Sequence, residues 1–590
     1  MESGTPNAND NVALINLTGL QVYSGGEVRD AVIQTLMRES LPDTNDSSRR
    51  FVPRAALLEI FDAPKVKQII RSLLPGIDSP TVDELVRYIC PGQIQCSQCG
   101  HEHCTRGRVI LATLIWIARQ DLIPVLLDLL PWTCDNHLPF EATGQTHTAT
   151  TRRRNFLQNL SPVEHELFDQ VQLQLSAPFL MCLGPQDGTE VPLIRGAVTL
   201  PWTQFTTIQE PKPGNPCEVG KVYIHPAHHA LSDAQQDHQD VNLFALKIFQ
   251  DNAKRNTERV FRNELLVNRK TPQHDRITPL LTAFQHHQRC YLVFPWAHGG
   301  NLKDFWQRHT SVQHHMQYSA KWVISECLGL VDGLATLHGF AESGVIGHGP
   351  PTTTTTTTTS STALLHADIK PTNILCFQID GQETYFLKFA DFGISKEIDP
   401  GSPLKAKDLR QTKTYRAPEQ DVEQVVSLKS DVWCLGCLFL EFITWNLVGW
   451  EGIDSFSKKR HNELDDPEAT HALGQTYEDL FFKKEVKKNY WVGRFGLQVD
   501  TAVNALPMDE ETRHLARRVY SLRLKKNVRV GCRIKDTVAT HIEFLRNHEG
   551  CTQKLREFLS LVQDRMLVVD VEKRADAKEI RQLMEGGSLG

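Results

Sequence analysis

Residues 362–376 read TALLHADIKPTNILC. One short loop here holds His366, Asp368, Lys370 and Asn373, with Ala367 between the His and the Asp. Phosphoryl transfer asks little covalent chemistry of a protein. It needs hard oxygen ligands for a metal ion, a cation near the moving phosphate and a carboxylate that orients the attacking hydroxyl. Asp368 suits the hydroxyl, Lys370 the phosphate, and the Asn373 amide oxygen suits Mg²⁺. ADFG at 390–393 adds a second hard ligand, Asp391. Mg²⁺ is usually held by few protein oxygens, with phosphates and water completing its shell.

Working outward, residues 1–50 are expected to be largely disordered, and residues 51–135 read as an α-helical domain of unknown role. Leu57, Ile60 and Phe61 share one helical face, as do Val66, Ile69, Ile70, Leu73 and Leu74. Ser79–Pro80 opens a further helix with Leu85, Val86 and Ile89 as its stripe. Residues 136–203 are assigned as linker and helical segment, with EATGQTHTATTRRRN (141–155) as an exposed loop. Strand-like runs follow at 219–225, 242–249, 280–284 and 291–294, and apolar helical patterns dominate from 316 onward. The expected class is α+β, with a β-rich part over 204–300 and a helical part over 301–586. Insertions are expected near 341–362, which contains eight consecutive threonines, and near 450–545.

The motifs along this stretch resemble, in order, those of the eukaryotic protein kinases. FALK (244–247), RNELL (262–266), YLVFPWAHGG (291–300), HADIKPTN (366–373), DFG, TKTYRAPE (412–419), SDVWCLGCLF (430–439) and VEKRADA (571–577) carry the resemblance, which covers roughly residues 204–585. It implies a bilobal fold, with a small β-rich N-lobe and a larger helical C-lobe, preceded by the small all-α domain. It also implies ATP and Mg²⁺ as cofactors, with Asn373 and Asp391 as metal ligands. Asp368, Lys370, Asn373 and Thr412 become the catalytic set. Gly220, Val222, Ala245, Lys247, Glu264, Phe294, Trp296, Ala297 and Leu375 become the nucleotide site, with Glu264 holding Lys247 and Phe294 as gatekeeper. Asp431 is expected to hold the catalytic-loop backbone, and Arg574 to pair with Glu419. Lys370 and Thr412 fit the serine/threonine kinases, so protein serines and threonines are the implied substrates. The helical N-terminus, the inserted C-lobe and FITWNLVGW (442–450) are also similar to expanded kinase-like families of filamentous fungi.

Two departures matter. The family's glycine loop, GxGxxGxV, is here PGNPCEVGKV (213–222); aligning Gly220 and Val222 leaves Asn215 and Cys217 in glycine positions. Glycine lets backbone approach phosphates closely, so the alternative function is a pseudokinase that binds nucleotide or scaffolds partners. Ala367 replaces the arginine that usually clamps a phosphorylated activation loop. Control by a protein partner through the helical N-terminus is expected in its place.

Composition excludes other classes. With 40% hydrophobic and 23% charged residues and a formal net charge of −6, the chain lacks the basic footprint of a nucleic-acid or membrane-surface binder. Val109–Ala118 and Cys434–Trp450 read as buried helices, too short to span a bilayer. The N-terminal residues show no secretory signal, and fourteen cysteines without a paired framework fit an intracellular, cytoplasmic setting. Within CPGQIQCSQCGHEHC (90–104), Cys96, Cys99, His101 or His103, and Cys104 have metal-ligand chemistry but cramped spacing. That spacing favours a metal-free loop of free thiols.

Overall fold

The computed structural model describes residues 24–44, 49–92, 95–138, 148–184, 191–211, 217–231, 241–250, 256–309, 318–339, 363–378, 384–399, 403–408, 412–465, 479–487 and 529–586. They fall into two compact units. Met1–Ser232, Asp240–Thr257 and Leu281–Phe294 form the first; Asp233–Gln239, Glu258–Leu280 and Pro295–Gly590 form the second. The threonine tract, Ser402, Asn215, Tyr490, Trp491 and Phe495 lie outside the described residues.

The first unit begins with helices α1 (Gly25–Glu39), α2 (Arg54–Ile60), α3 (Ala63–Leu73), α4 (Ser79–Ile89) and α5 (Arg108–Trp116). Order therefore starts well before residue 51. Ser24 and Glu27 cap α1 reciprocally, and Val28, Val32 and Leu36 turn inward. The cap of α4 is Asp78, one residue ahead of the expected Ser79, and its carboxylate accepts from Thr81 N–H. Residues 148–155, read as an exposed loop, are helical instead, while a helix over 162–175 agrees with the helical segment expected within 136–203. These are α6 (Thr148–Leu157) and α7 (Pro162–Leu175), whose Phe156, Leu157, Phe168, Val171 and Leu175 complete the helical core. Burying that apolar stripe outweighs the polar character of 148–155.

The same unit holds a six-stranded sheet. Its strands are β1 (Leu193–Ile194), β2 (Trp202–Gln209), β3 (Cys217–Ile224), β4 (Leu243–Gln250), β5 (Thr282–His286) and β6 (Arg289–Pro295), in spatial order β1-β5-β6-β4-β3-β2. Helical part and sheet are joined by Arg54 N–H donating to His228 Nε2 at 2.8 Å and by Arg49 donating to Gly196 O at 3.0 Å.

The second unit starts with most of α8 (Asn256–Lys270), followed by α9 (Leu302–Arg308) and α10 (Ala320–Leu337). Two small antiparallel pairs carry the site. β7 (Ala363–Leu365) pairs with β10 (Lys396–Ile398), and β8 (Ile374–Gln378) with β9 (Tyr385–Phe389). Helix α11 (Leu428–Val448) is the hub of the core. At 21 residues it is longer than the sequence suggested, and its mean hydropathy of 1.4 would suit a span. Its apolar window is 83% buried, however, as in a core helix. Part of 450–545 also packs inward. Phe481 and Phe482 are fully buried, and Phe482 begins β11 (Phe482–Lys487), which pairs antiparallel with β12 (Arg529–Ile534).

Candidate active site

The two small pairs bring distant segments together. The loop 366–373 runs from β7 to β8, while 390–395 runs from β9 to β10. Ala390 N–H donates to the Asn373 carbonyl at 2.9 Å, stitching one loop to the other. Asp431, in the first turn of α11, anchors the first loop from below. Its carboxylate accepts from His366 N–H at 2.8 Å and Ala367 N–H at 2.9 Å, and His338 Nε2 donates to it at 3.1 Å. Asp431 is buried, and each of these hydrogen bonds to a charge is worth about 1.5–3 kcal/mol. This is the anchoring role expected of Asp431; His338 as its partner was not read from sequence.

Asp368 stands at the centre of the loop. Its Oδ2 accepts from Lys370 Nζ at 2.6 Å and Asn373 Nδ2 at 3.0 Å. Its Oδ1 accepts from Thr412 Oγ1 at 2.8 Å, and the same hydroxyl accepts from Lys370 at 2.8 Å. The four expected catalytic residues therefore form one network, although Thr412 is far along the chain. The amide nitrogen of Asn373 is committed to Asp368, which leaves its Oδ1 as the atom able to meet a cation. Asp391 is exposed and takes φ 65°, a left-handed conformation that Asp tolerates better than most residues.

His366 is wholly buried against Phe392, with ring centroids 5.0 Å apart. Burial pushes its pKa down, opposed by the carboxylates of Asp431, Asp368 and Asp391, so the ring is a neutral packing element. Ser395 is buried too, and its hydroxyl donates to the His366 carbonyl at 2.8 Å. Ala367 sits inside a small apolar cluster at φ 68°. Glu264 is buried on α8 beside the DFG turn. A methyl group added to Gly393 would stand 3.2 Å from carboxylate oxygens of both Glu264 and Asp391. Lower in the unit, Arg574 grips Glu419 through two 2.9 Å bonds, and Ser430 adds a third at 2.7 Å. That pair is the one expected from the motifs.

The sheet revises the nucleotide-site expectation. Across β3 and β4, Val219 pairs with Lys247, Lys221 with Ala245, and Val222 with Phe244. Directly opposed residues share a face, and neighbours along a strand alternate. Val219, Lys221, Ala245 and Lys247 thus occupy one half-buried face. Val222 and Gly220 occupy the other, against the sheet core. A Cβ on Gly220 would lie 2.4 Å from the Phe205 ring, so packing alone explains that glycine. Counting back from Val219 puts Gly214 in the second glycine place of the loop pattern. Phe294 is half-buried at the end of β6; in the second unit Trp296 and Leu375 are half-buried and Ala297 is buried.

Residues 357–583 match the protein kinase domain family, and residues 216–346 match the family of protein tyrosine and serine/threonine kinases. The nodulation receptor kinase of Pisum sativum is 29% identical over 206 residues, covering 32% of this chain and 19% of that protein. Mitogen-activated protein kinase kinase 1 of Arabidopsis thaliana is 27% identical over 202 residues, covering 34% of this chain and 48% of that protein. GLH-binding kinase 1 of Caenorhabditis elegans is 31% identical over 99 residues, covering 16% and 24%. The chain thus spans less than half the length of each of these relatives.

Proposed function

We propose that this chain, which contains a protein kinase domain behind an all-helical region, is an active serine/threonine kinase. It would move the γ-phosphoryl group of ATP to a protein hydroxyl and leave ADP. The observation that carries this reading is the Asp368 carboxylate, ordered by Lys370, Asn373 and Thr412. In this reading Asp368 accepts the hydrogen bond of the incoming hydroxyl, aims its oxygen in line with the phosphorus and takes its proton as the new O–P bond forms. Lys370 keeps positive charge beside the developing phosphate. Lys247 contacts the nucleotide phosphates, with Val219 and Ala245 on its own face of the sheet. Magnesium, when bound, neutralises phosphate charge, and Asn373 Oδ1 and the Asp391 carboxylate are the hard oxygens suited to hold it.

Serine/threonine preference is supported by Lys370 two residues after Asp368 and by Thr412 closing over both. Ala367 has no charge to clamp a phosphate. Regulation is therefore assigned to the helical region, which shares its compact unit with the strand that carries Lys247. A second reading, nucleotide binding or scaffolding without turnover, is favoured by one observation, the glycine-poor segment 213–222. The test is transfer of radiolabel from ATP to serine, threonine and tyrosine peptide libraries, with nucleotide-induced thermal shift measured in parallel. Serine or threonine labelling supports the kinase; a shift without labelling supports the second reading.

A further inference from the structure

Away from the kinase motifs, four thiols converge in the helical part of the first unit. The Sγ atoms of Cys96, Cys99, Cys104 and Cys134 all lie within 4.8 Å of one another. Cys134 comes from the turn after residue 132, which sequence spacing alone did not connect to the 90–104 loop. His101 is exposed, and His103 is instead stacked on Phe179 with ring centroids 3.9 Å apart.

We infer that these four cysteines form a closed tetrahedral Zn²⁺ site that staples the 95–106 loop to the 132–138 segment. Three observations carry it. First, Cys96, Cys104 and Cys134 are buried and pack chiefly against one another and Cys99, an arrangement that serves a soft metal better than it serves an apolar core. All four are free thiols. Their separations suit a single ion, because a tetrahedron with Zn–S bonds of about 2.3 Å has edges of about 3.8 Å.

Second, the backbone is shaped to present them. Gly100 N–H donates to Cys96 O at 2.7 Å and Cys96 N–H to His101 O at 3.2 Å, folding the Cys-x₂-Cys-Gly run into a tight turn with Gly100 at φ 72°. That turn aims two sulfurs at one point. Third, N–H donors point at the sulfurs. Arg106 N–H reaches Cys104 Sγ at 3.2 Å and Asn136 Nδ2 reaches Cys99 Sγ at 3.4 Å, the kind of outer contact that orients thiolate ligands.

The two segments are also held in register independently of any ion. Asp135, next to Cys134, accepts from the Thr105 hydroxyl at 2.7 Å and from Val109 and Ile110 N–H at 2.9 and 3.2 Å. It thereby caps α5 from outside, where Gly107 has no side chain to do so. On binding, each thiol proton leaves to solvent and an S–Zn bond replaces the S–H bond. Protein sulfurs occupy all four positions, so the site is structural and takes no substrate.

The test uses the full chain, purified under reducing conditions without chelator. Elemental analysis should find about one zinc per chain. Replacement by Co²⁺ should give the intense sulfur-to-metal charge-transfer bands of a four-thiolate site. Cys134→Ser should lose most of the zinc and weaken those bands, while Cys182→Ser, at an exposed cysteine outside the cluster, should change neither. If Cys134→Ser does not fold, the cobalt spectrum of the wild-type chain still decides. Less than about a tenth of a zinc per chain together with no cobalt bands would overturn the inference. So would full zinc retention in Cys134→Ser, stoichiometric iron in place of zinc, or a disulfide joining any two of the four cysteines.

Discussion

Replacing Asp368 by asparagine removes one carboxylate oxygen from a site where both are used. Oδ2 accepts from Lys370 at 2.6 Å and Asn373 at 3.0 Å, while Oδ1 accepts from the Thr412 hydroxyl at 2.8 Å and its N–H at 3.3 Å. An amide has a single acceptor oxygen. In either orientation its NH₂ group faces donors on one side, and no orientation lets it take a proton from a hydroxyl. Loss of a positioned general base is worth about 10²–10⁴ in rate, or roughly 3–5 kcal/mol of barrier. Because the proposed role places Asp368 on the acceptor hydroxyl, the affinity for ATP should stay unchanged. The assay is initial-rate phosphorylation of a serine/threonine peptide at saturating ATP, with nucleotide binding titrated separately by fluorescence. A fall in kcat of less than about tenfold, 1.4 kcal/mol, would refute the role given to Asp368.

Further outcomes follow from other parts of the molecule. Val219→Ala and Lys247→Met should raise KM for ATP, while Val222→Ala should cost about 2 kcal/mol of stability with KM unchanged; the opposite pattern in steady-state kinetics and urea melts would mean the β3–β4 register is wrong. Phosphatase treatment and Thr414→Ala should leave the initial rate nearly unchanged, since Ala367 lacks the usual clamp; a drop of about tenfold, 1.4 kcal/mol, would show that another cation takes its place. Ser395 is not a candidate for such a phosphate, because its buried hydroxyl is engaged with the His366 carbonyl. His541 is stacked on Phe456 and held neutral, its pKa pushed down to about 3 by burial and by the nearby Arg460 and Lys459 cations. The unfolded chain, with an imidazole pKa near ~6.5, binds the extra proton first, so stability is lost as pH falls from about 6.5 toward 3. Between pH 6.5 and 5 this histidine contributes up to about 2 kcal/mol of that loss. His541→Gln should flatten the pH dependence of urea unfolding, and an unaltered slope would contradict the assignment.

Much of the site was legible because its chemistry is local. Asp368, Lys370 and Asn373 lie in one loop, where spacing already decides which groups can meet. The same holds for the apolar stripes of α3 and α4, whose helical period is written in the residue order. The pairs Asp431 with the loop backbone and Arg574 with Glu419 are distant in sequence, and only the ordered series of motifs pointed to them.

The tertiary structure decided what depends on register and on long-range convergence. A strand has period two, so a slip of one residue exchanges its faces; the pairing of β3 with β4, which no local signal fixes, puts Val219 and not Val222 beside Lys247. The helix over 148–157 forms because the helical core has an apolar face to cover, although the sequence of 148–155 is polar by itself. Cys134 joins Cys96, Cys99 and Cys104 only once α5 and the following turns have folded back and Asp135 has closed the gap. Sequence order thus determined the chemistry within single loops and helices. Contacts between segments far apart in the chain are set by packing and sheet pairing, and those were settled only in three dimensions.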